Sequence, residues 1–150
     1  MAYDAFMKIE GITGPNTRDA IEVLSFSFGV SDGNADRFGG GGGRVSRPVE
    51  IDFSFVKHTD ETSPALFLAC ATGRHLNSAD LVLSQLNSDG TPVVFYKLHF
   101  TGLLVDSDQT NGSEQGDDRP LETVQIDYES VDIWSDGQRA GFNFKTNRVI

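Results

Sequence analysis

The chain lacks most of what would make it a nucleic-acid binder, a membrane span or a disulfide-built domain. Its 150 residues include one cysteine, Cys70, so no internal disulfide framework exists, the usage of a chain folded in a reducing compartment. Basic residues are few: 12 Lys and Arg stand against 22 Asp and Glu, a formal net charge of -10. Such a balance repels a phosphate backbone unless cations are segregated. No basic patch is written in the sequence, so nucleic acid is not an expected partner. No window approaches the ~18 uninterrupted apolar residues of a spanning helix, so no direct membrane insertion is expected. The start, Met1-Ala2-Tyr3-Asp4-Ala5-Phe6-Met7-Lys8, has no basic segment followed by an apolar run, and so is not read as a secretory signal.

Reaction motifs are missing too. The run Gly39 to Gly43 is followed by Arg44-Val45-Ser46, where a phosphate loop needs Lys and then Ser or Thr to reach the phosphates and metal. Asp106-Ser107-Asp108-Gln109-Thr110-Asn111-Gly112 starts like a calcium loop. Asn111, however, takes the place of the required sixth-position Gly, and Asp117 that of the bidentate Glu. His58, His75 and His99 are widely spaced with no second cysteine, so neither a zinc ligand set nor a Cys-His couple is written. No G-x-S-x-G elbow strains a serine into a nucleophile. Asn111-Gly112-Ser113 is a glycosylation sequon in form, meaningful only in a secretory pathway. No catalytic residue, metal or cofactor is expected.

What is present is alternation. In Ile21 to Ser31, Leu24, Phe26, Phe28 and Val30 take one side of a strand. Val23, Ser25, Ser27, Gly29 and Ser31 take the other. The first side reads as core and the second as a small, mostly polar face that lets a water-filled space or another protein surface approach the backbone. Val49, Ile51, Phe53 and Phe55 share a side of a second strand; Val94, Tyr96, Leu98, Phe100, Gly102 and Leu104 share a side of a third. From Glu122 to Trp134 the apolar phase changes between Tyr128 and Val131, which predicts a bulge near Glu129-Ser130. Shorter strands are expected at Ala5 to Glu10, Leu81 to Leu86 and Phe142 to Lys145. Asn87-Ser88-Asp89-Gly90 reads as a hairpin turn.

One segment departs from this period. Ser63 to Gly73 has a capping candidate, Pro64 at the first helical position, good helix formers and a closing glycine, which predicts a short helix burying Leu66, Phe67 and Cys70. The composition suits one domain over 1–150. The fold class is mainly β: a compact β-barrel or two-sheet sandwich with one short flanking α-helix and a long Gly-rich loop. Asp32 to Arg47 and Asp106 to Arg119 are read as solvated loops, the first a mobile excursion with no apolar periodicity.

Several stretches follow a familiar order. These are Ala5-Phe6-Met7-Lys8-Ile9-Glu10-Gly11-Ile12-Thr13-Gly14, then Ile21 to Val30, the glycine run, the Ser63-Pro64 helix ending Ala71-Thr72-Gly73, Tyr96-Lys97-Leu98, and Pro120-Leu121-Glu122-Thr123-Val124. In order and spacing they resemble the Hcp family, the tube proteins of type VI secretion systems. The departure is Trp134-Ser135-Asp136-Gly137, where many members carry a longer Tyr- and Pro-containing connection.

The resemblance implies a homo-hexamer whose rings stack into a tube, with sheath and spike components as partners and small effector cargo held in the lumen. It implies a protein that is cytoplasmic when assembled and secreted to the extracellular space without a signal peptide. Ser25, Ser27 and Ser31 are candidates for the lumen wall; packing of that face on a neighbouring protomer is the rival. The loop residues Asp32, Gly39, Gly40, Gly41, Gly42, Gly43, Arg44 and Arg47 are candidates for stacking contacts, with Arg44 and Arg47 available to acidic residues of the next ring. The competing reading is a soluble, non-catalytic β-barrel carrier of a small apolar ligand. A hydrolase built on carboxylates stands third.

Overall fold

The computed structural model describes residues 3–12, 20–32, 48–112 and 119–150. Nine strands and one helix follow in chain order: β1 Asp4–Ile9, β2 Ile21–Glu22, β3 Ser25–Asp32, β4 Pro48–His58, α1 Ser63–Thr72, β5 His75–Leu86, β6 Pro92–Asn111, β7 Leu121–Ser135, β8 Gln138–Asn143 and β9 Arg148–Val149. All pairings between named strands are antiparallel, in the order β2-β1-β5-β6-β7-β4-β3, with β8 on β7 and β9 on β8. The two ends of that path, β2 and β3, are consecutive in the chain. The Val23 N–H donates to the Ala5 carbonyl on β1 at 2.9 Å, and the next N–H, of Leu24, donates to the Val56 carbonyl on β4 at 2.8 Å. One segment thus pairs with both edges of the sheet and closes it around a core.

That closure changes the phase expected for Ile21 to Ser31. Ile21 and Val23 are buried, Leu24 is 47% exposed, and the core side resumes at the half-buried Phe26 and Phe28. The backbone turns from one partner strand to the other at Val23-Leu24, and Leu24 is left outside. Ile51 is also outside, at 46%, contrary to the alternation of Val49 to Phe55. Ser27 pairs with Ser54 but Gly29 with Ile51, so β4 carries an extra residue there and its parity flips.

A second discontinuity crosses three strands at one row. Buried positions run Leu76 then Ala79, Leu81 and Leu83 on β5. They run Leu98 and Phe100 then Leu103 and Val105 on β6, and Ile126 and Tyr128 then Val131 on β7. The change falls at Gly102, whose φ is 69°. The parity change expected near Glu129-Ser130 is present, but β7 keeps its register with β6 there; the register shift lies between Val105 and Ser107. Leu103 rather than Leu104 is the buried member of β6 for the same reason.

Two turns follow from composition. Asn87 Oδ1 accepts from the N–H of Thr91 at 2.9 Å and of Asp89 at 3.2 Å, and the expected β5–β6 hairpin results. Asp136-Gly137, both at positive φ, joins Ser135 to its pair partner Gln138 as a two-residue hairpin loop. The last longer strand is therefore Gln138–Asn143, earlier than the expected Phe142 to Lys145. The stretch Asp106 to Asn111, expected as loop, continues β6 against β7.

The helix ends at Gly73 as expected and buries Leu66 and Ala69. Phe67 is 63% exposed, not buried. An ionic cluster at its entry ties it to the barrel. Lys57, fully buried, reaches Glu122 at 2.9 Å and Asp60 at 3.0 Å, and donates to the His58 carbonyl at 3.0 Å. Ser63 Oγ donates to Glu122 at 2.6 Å, while Asp60 Oδ1 accepts from the Thr62 N–H at 2.8 Å. Burial opposes ionisation of Asp60 and Glu122, yet Thr62 and Lys57 for Asp60, and Asp108, Ser63 and Lys57 for Glu122, outweigh it and hold both carboxyls below their usual range.

Two measurements test these constraints. Gly102→Ala places a Cβ 2.8 Å from the Glu129 side chain at a left-handed φ, and urea unfolding is expected to show a loss of about 1–2 kcal/mol or more; an unchanged midpoint contradicts the bend. Lys57→Met strands buried carboxylates and is expected to cost about 3–5 kcal/mol. In the parent, stabilisation by Asp60 and Glu122 is full above the ordinary carboxylate range and is lost as pH falls from that range down through their lowered folded values. That acid-side loss is expected to shrink in Lys57→Met.

Candidate functional site

The barrel interior is filled. Phe53, Phe55, Phe100, Leu98 and Leu103 are fully buried, and the Phe53 and Phe100 rings meet at a centroid distance of 4.8 Å, as do those of Phe100 and Tyr128. Chemistry or recognition therefore has to lie on the outer side of the sheet or at its edges.

The outer side of β3, β4, β7 and β6 carries two aligned cross-strand rows. Ser27, Ser54, Gln125 and Ser107 form one; Ser25, Val56, Thr123 and Gln109 form the other. Each residue lies opposite the buried phase of its strand, set by Phe53 and Phe55 on β4 and by Val124 and Ile126 on β7. Ser107 Oγ donates to Gln125 Oε1 at 3.0 Å. None of the eight is charged, in a chain of net charge -10, so this surface attracts neither sign strongly. Next along β4 is an acidic margin. Burial chiefly, and then the neighbouring Asp106, push the Asp52 carboxyl above its usual range.

Charge is concentrated instead on the outer side of the other half of the sheet. There Val82, Lys97, Trp134 and Arg139 form one row and Asp80, His99, Asp132 and Gly141 the next. Lys97 Nζ lies 5.3 Å from the centre of the Trp134 ring and the Arg139 guanidinium 5.8 Å. His99 Nδ1 is 2.6 Å from Asp80 Oδ1, and Arg139 pairs with Asp132. These charges are partnered within the sheet. Among the described residues no group of three His, Cys, Asp or Glu side chains is arranged to hold a metal ion.

An apolar groove opens at an edge. One side of β7 pairs with β6 along its length; the other pairs with β4 up to Ile126 and with β8 from Ser130 onward. The β3–β4 arm and β8 splay apart at this fork. Phe28, Val30, Ile133, Ala140, Phe142 and Phe144 line the gap, about 280 Å³ in volume and almost wholly apolar. Val30, expected in the core, is 48% exposed here.

Of the residues singled out from the sequence, Ser25, Ser27 and Ser31 are all exposed. Only Ser25 and Ser27 join the four-strand wall, because Ser31 pairs with Val49 on the arm beyond the β4–β7 ladder. Asp32 closes β3, paired through the backbone with Pro48. Gly39, Gly40, Gly41, Gly42, Gly43, Arg44 and Arg47 lie outside the described residues, as do Asp117 and Asp118. Sequence reading passed over Ser54, Ser107, Thr123 and Gln125, which are recognisable only once register aligns them. It also passed over Lys57, although the core-facing phase Phe53, Phe55, Lys57 marks it as a cation driven into the interior.

Comparison with known proteins gives this geometry a family. A family model described as "Type VI secretion system effector, Hcp" matches residues 6–134. The protein hcp1 of Pseudomonas aeruginosa is 33% identical over 144 residues, covering 93% of this chain and 87% of that one. The crystal structure of Hcp1 from Salmonella typhimurium superposes with a TM-score of 0.83 at 32% identity, over the whole of both chains. A type six secretion system protein shares the fold at a TM-score of 0.86 and 24% identity, over 99% of this chain and 100% of that one. With most of its length matched in sequence and all of it in fold, the chain belongs to the Hcp family, the tube proteins of type VI secretion systems.

Proposed function

We propose that this chain closes head to tail into hexameric rings that stack into a tube, with the uncharged wall of Ser25, Ser27, Ser54, Val56, Ser107, Gln109, Thr123 and Gln125 facing the lumen. The observation that carries this reading is the wall itself: two aligned rows of uncharged, mostly polar side chains on the outside of a barrel whose inside is full. A lumen through which other proteins pass must be wet and must bind neither sign of charge tightly, and these rows meet both conditions.

Ring closure needs a heterologous contact in which one patch of a protomer meets a different patch of the next. The groove between the β3–β4 arm and β8 is the apolar concave half of such a contact. The segment from Asp32 to Arg47 leaves from the same arm and supplies the stacking contact, with Arg44 and Arg47 meeting acidic residues of the next ring. Sheath and spike components are the remaining partners, and small effectors are the cargo. The protein carries no reaction centre of its own and leaves the cell with the tube it builds.

The carrier reading has one feature in its favour, the apolar groove. At about 280 Å³ the groove is below the usual range of roughly 300–1,000 Å³ for pockets that enclose a small ligand. Two other hollows, about 410 Å³ beside Glu22, Asp60 and Arg119 and about 350 Å³ beside Lys8, Glu10 and Asp80, are rimmed by charged side chains unsuited to an apolar ligand.

Native mass spectrometry decides between the readings: a species of six times 16.3 kDa is expected, and a monomer at high concentration overturns the ring. Val30→Asp, at an exposed groove position, is expected to yield folded monomers; rings that persist would remove the groove from the subunit contact. Deleting Gly39 to Gly43 is expected to leave rings intact while abolishing their stacking in electron micrographs. Loss of the ring itself would contradict the role given to that segment.

A further inference from the structure

Among the described residues, three carboxyl groups, Asp60, Glu122 and Asp108, gather near the Lys57 ammonium where β6 ends, and Lys57 pairs with the first two. Asp108 lies on the inner side of the sheet, in the cross-strand row Phe55, Val124, Asp108; the adjacent row is Lys57, Glu122, Thr110. Phe55, Val124 and Lys57 are fully buried and Glu122 is 1% exposed. Asp108 stands diagonally across the β6–β7 ladder from Glu122, since Asp108 pairs with Val124 and Glu122 with Thr110, and its Oδ1 atom is buried without a hydrogen-bond partner. Two carboxyl groups can share a hydrogen bond only with a proton between them, because two adjacent anions repel. Lys57 is already committed to Glu122, Asp60 and the His58 carbonyl, so it cannot neutralise a third anion.

We propose that Asp108 and Glu122 hold one proton between them beside Lys57, and that losing this proton unlatches the end of the β6–β7 hairpin from the entry of α1. With the proton in place, Lys57, Asp60, Glu122 and Asp108 carry one net negative charge; without it they carry two in a buried site. Ser63 fixes the helix side of the cluster by donating to Glu122. Among the described residues, the groups facing Asp108 are Glu122 from β7 and Lys57 from β4, with Asp60 at the helix entry acting through Lys57. On its own strand Asp106 is engaged with Asp52. Arg119 donates to the Thr59 carbonyl at 3.3 Å on the exposed side.

The electrostatics agree with the geometry. Burial first, then the hydrogen bond and charge of Glu122, push Asp108 up to about 7, with Lys57 acting in the opposite sense. A carboxyl raised in the folded state contributes stability that is full below its unfolded range and is lost as pH rises through the folded value. The latch is thus closed in mildly acid solution and loosens on the alkaline side of neutrality. The segment it releases, Asp108 to Asn111 against Leu121 and Glu122, includes Gln109, a member of the uncharged wall. The proposal does not depend on ring formation.

Amide hydrogen exchange on the purified full chain tests it. Between about pH 6 and pH 8, protection at Gln109, Thr110, Asn111, Leu121 and Glu122, corrected for intrinsic exchange, is expected to fall several-fold and up to about tenfold. In Asp108→Asn, which keeps a donor toward Glu122 but cannot ionise, it is expected to stay level. Protection that is flat in the parent, or that falls equally in the variant, overturns the latch. Carboxyl carbon chemical shifts of the unmodified chain decide the matter even if the variant does not fold. A titration step near neutrality shared by Asp108 and Glu122 is expected, and completion of both titrations in the acid range refutes the shared proton.

Discussion

The rest of the structure depends on one segment bonding in two directions. Successive N–H groups of Val23 and Leu24 donate to β1 and to β4, so a sheet with two ends becomes a sheet with none at that level. Closure is what allows 150 residues to bury Phe53, Phe55, Phe100, Leu98 and Leu103 completely. It is also what takes the interior out of play for ligands. Once the inside is filled by aromatic and aliphatic side chains at close-packed density, only the outer side of the sheet and its edges are left for recognition.

Those outer surfaces are not alike. Where β3, β4, β7 and β6 run together, the residues facing out are short and uncharged; where β5, β6, β7 and β8 run together, they are Asp80, Lys97, His99, Asp132, Trp134 and Arg139 in mutual contact. The same long strands, β6 and β7, serve both surfaces. The bend at Gly102 separates them, because it changes which parity of side chain faces the core across three neighbouring strands at once. Glycine is needed there for its left-handed φ, and the Glu129 side chain packs against the space a Cβ would fill. A subunit built this way presents a neutral wall on one part of its surface, a charged one on another and an apolar groove at the fork between them. These are three different surface chemistries on one subunit.

Much of this was legible in the sequence, and the exceptions share a physical cause. Alternation identifies the strands around Phe53, Leu98 and Val124, the Pro64 and Gly73 signals bound the helix, and Asn87 to Gly90 marks its hairpin. The order of segments resembles the family that the comparisons establish. Errors occur wherever the local period is broken by a tertiary event: Leu24 at the closure, Ile51 at the β4 irregularity, Leu104 beyond Gly102. The placement of Phe67 failed differently, because a helix of ten residues lying on a sheet buries a narrow stripe, here Leu66 and Ala69, rather than a broad face. Asp136-Gly137 carries the Asp-Gly signal of a two-residue hairpin, a turn that sequence reading passed over. The wall was half legible: Ser25 and Ser27 stand out within one strand. Ser54, Gln125 and Ser107 join them only through register, a long-range property no single segment encodes.

The central claim is that the neutral outer wall lines a central channel formed by several copies of this chain. The most direct measurement is electron microscopy of particles carrying a gold label on Ser27→Cys in a Cys70→Ala background. Annular particles with the label in the central hole are the expected result. Label at the outer rim of the annuli, or particles with no central hole, would contradict the account.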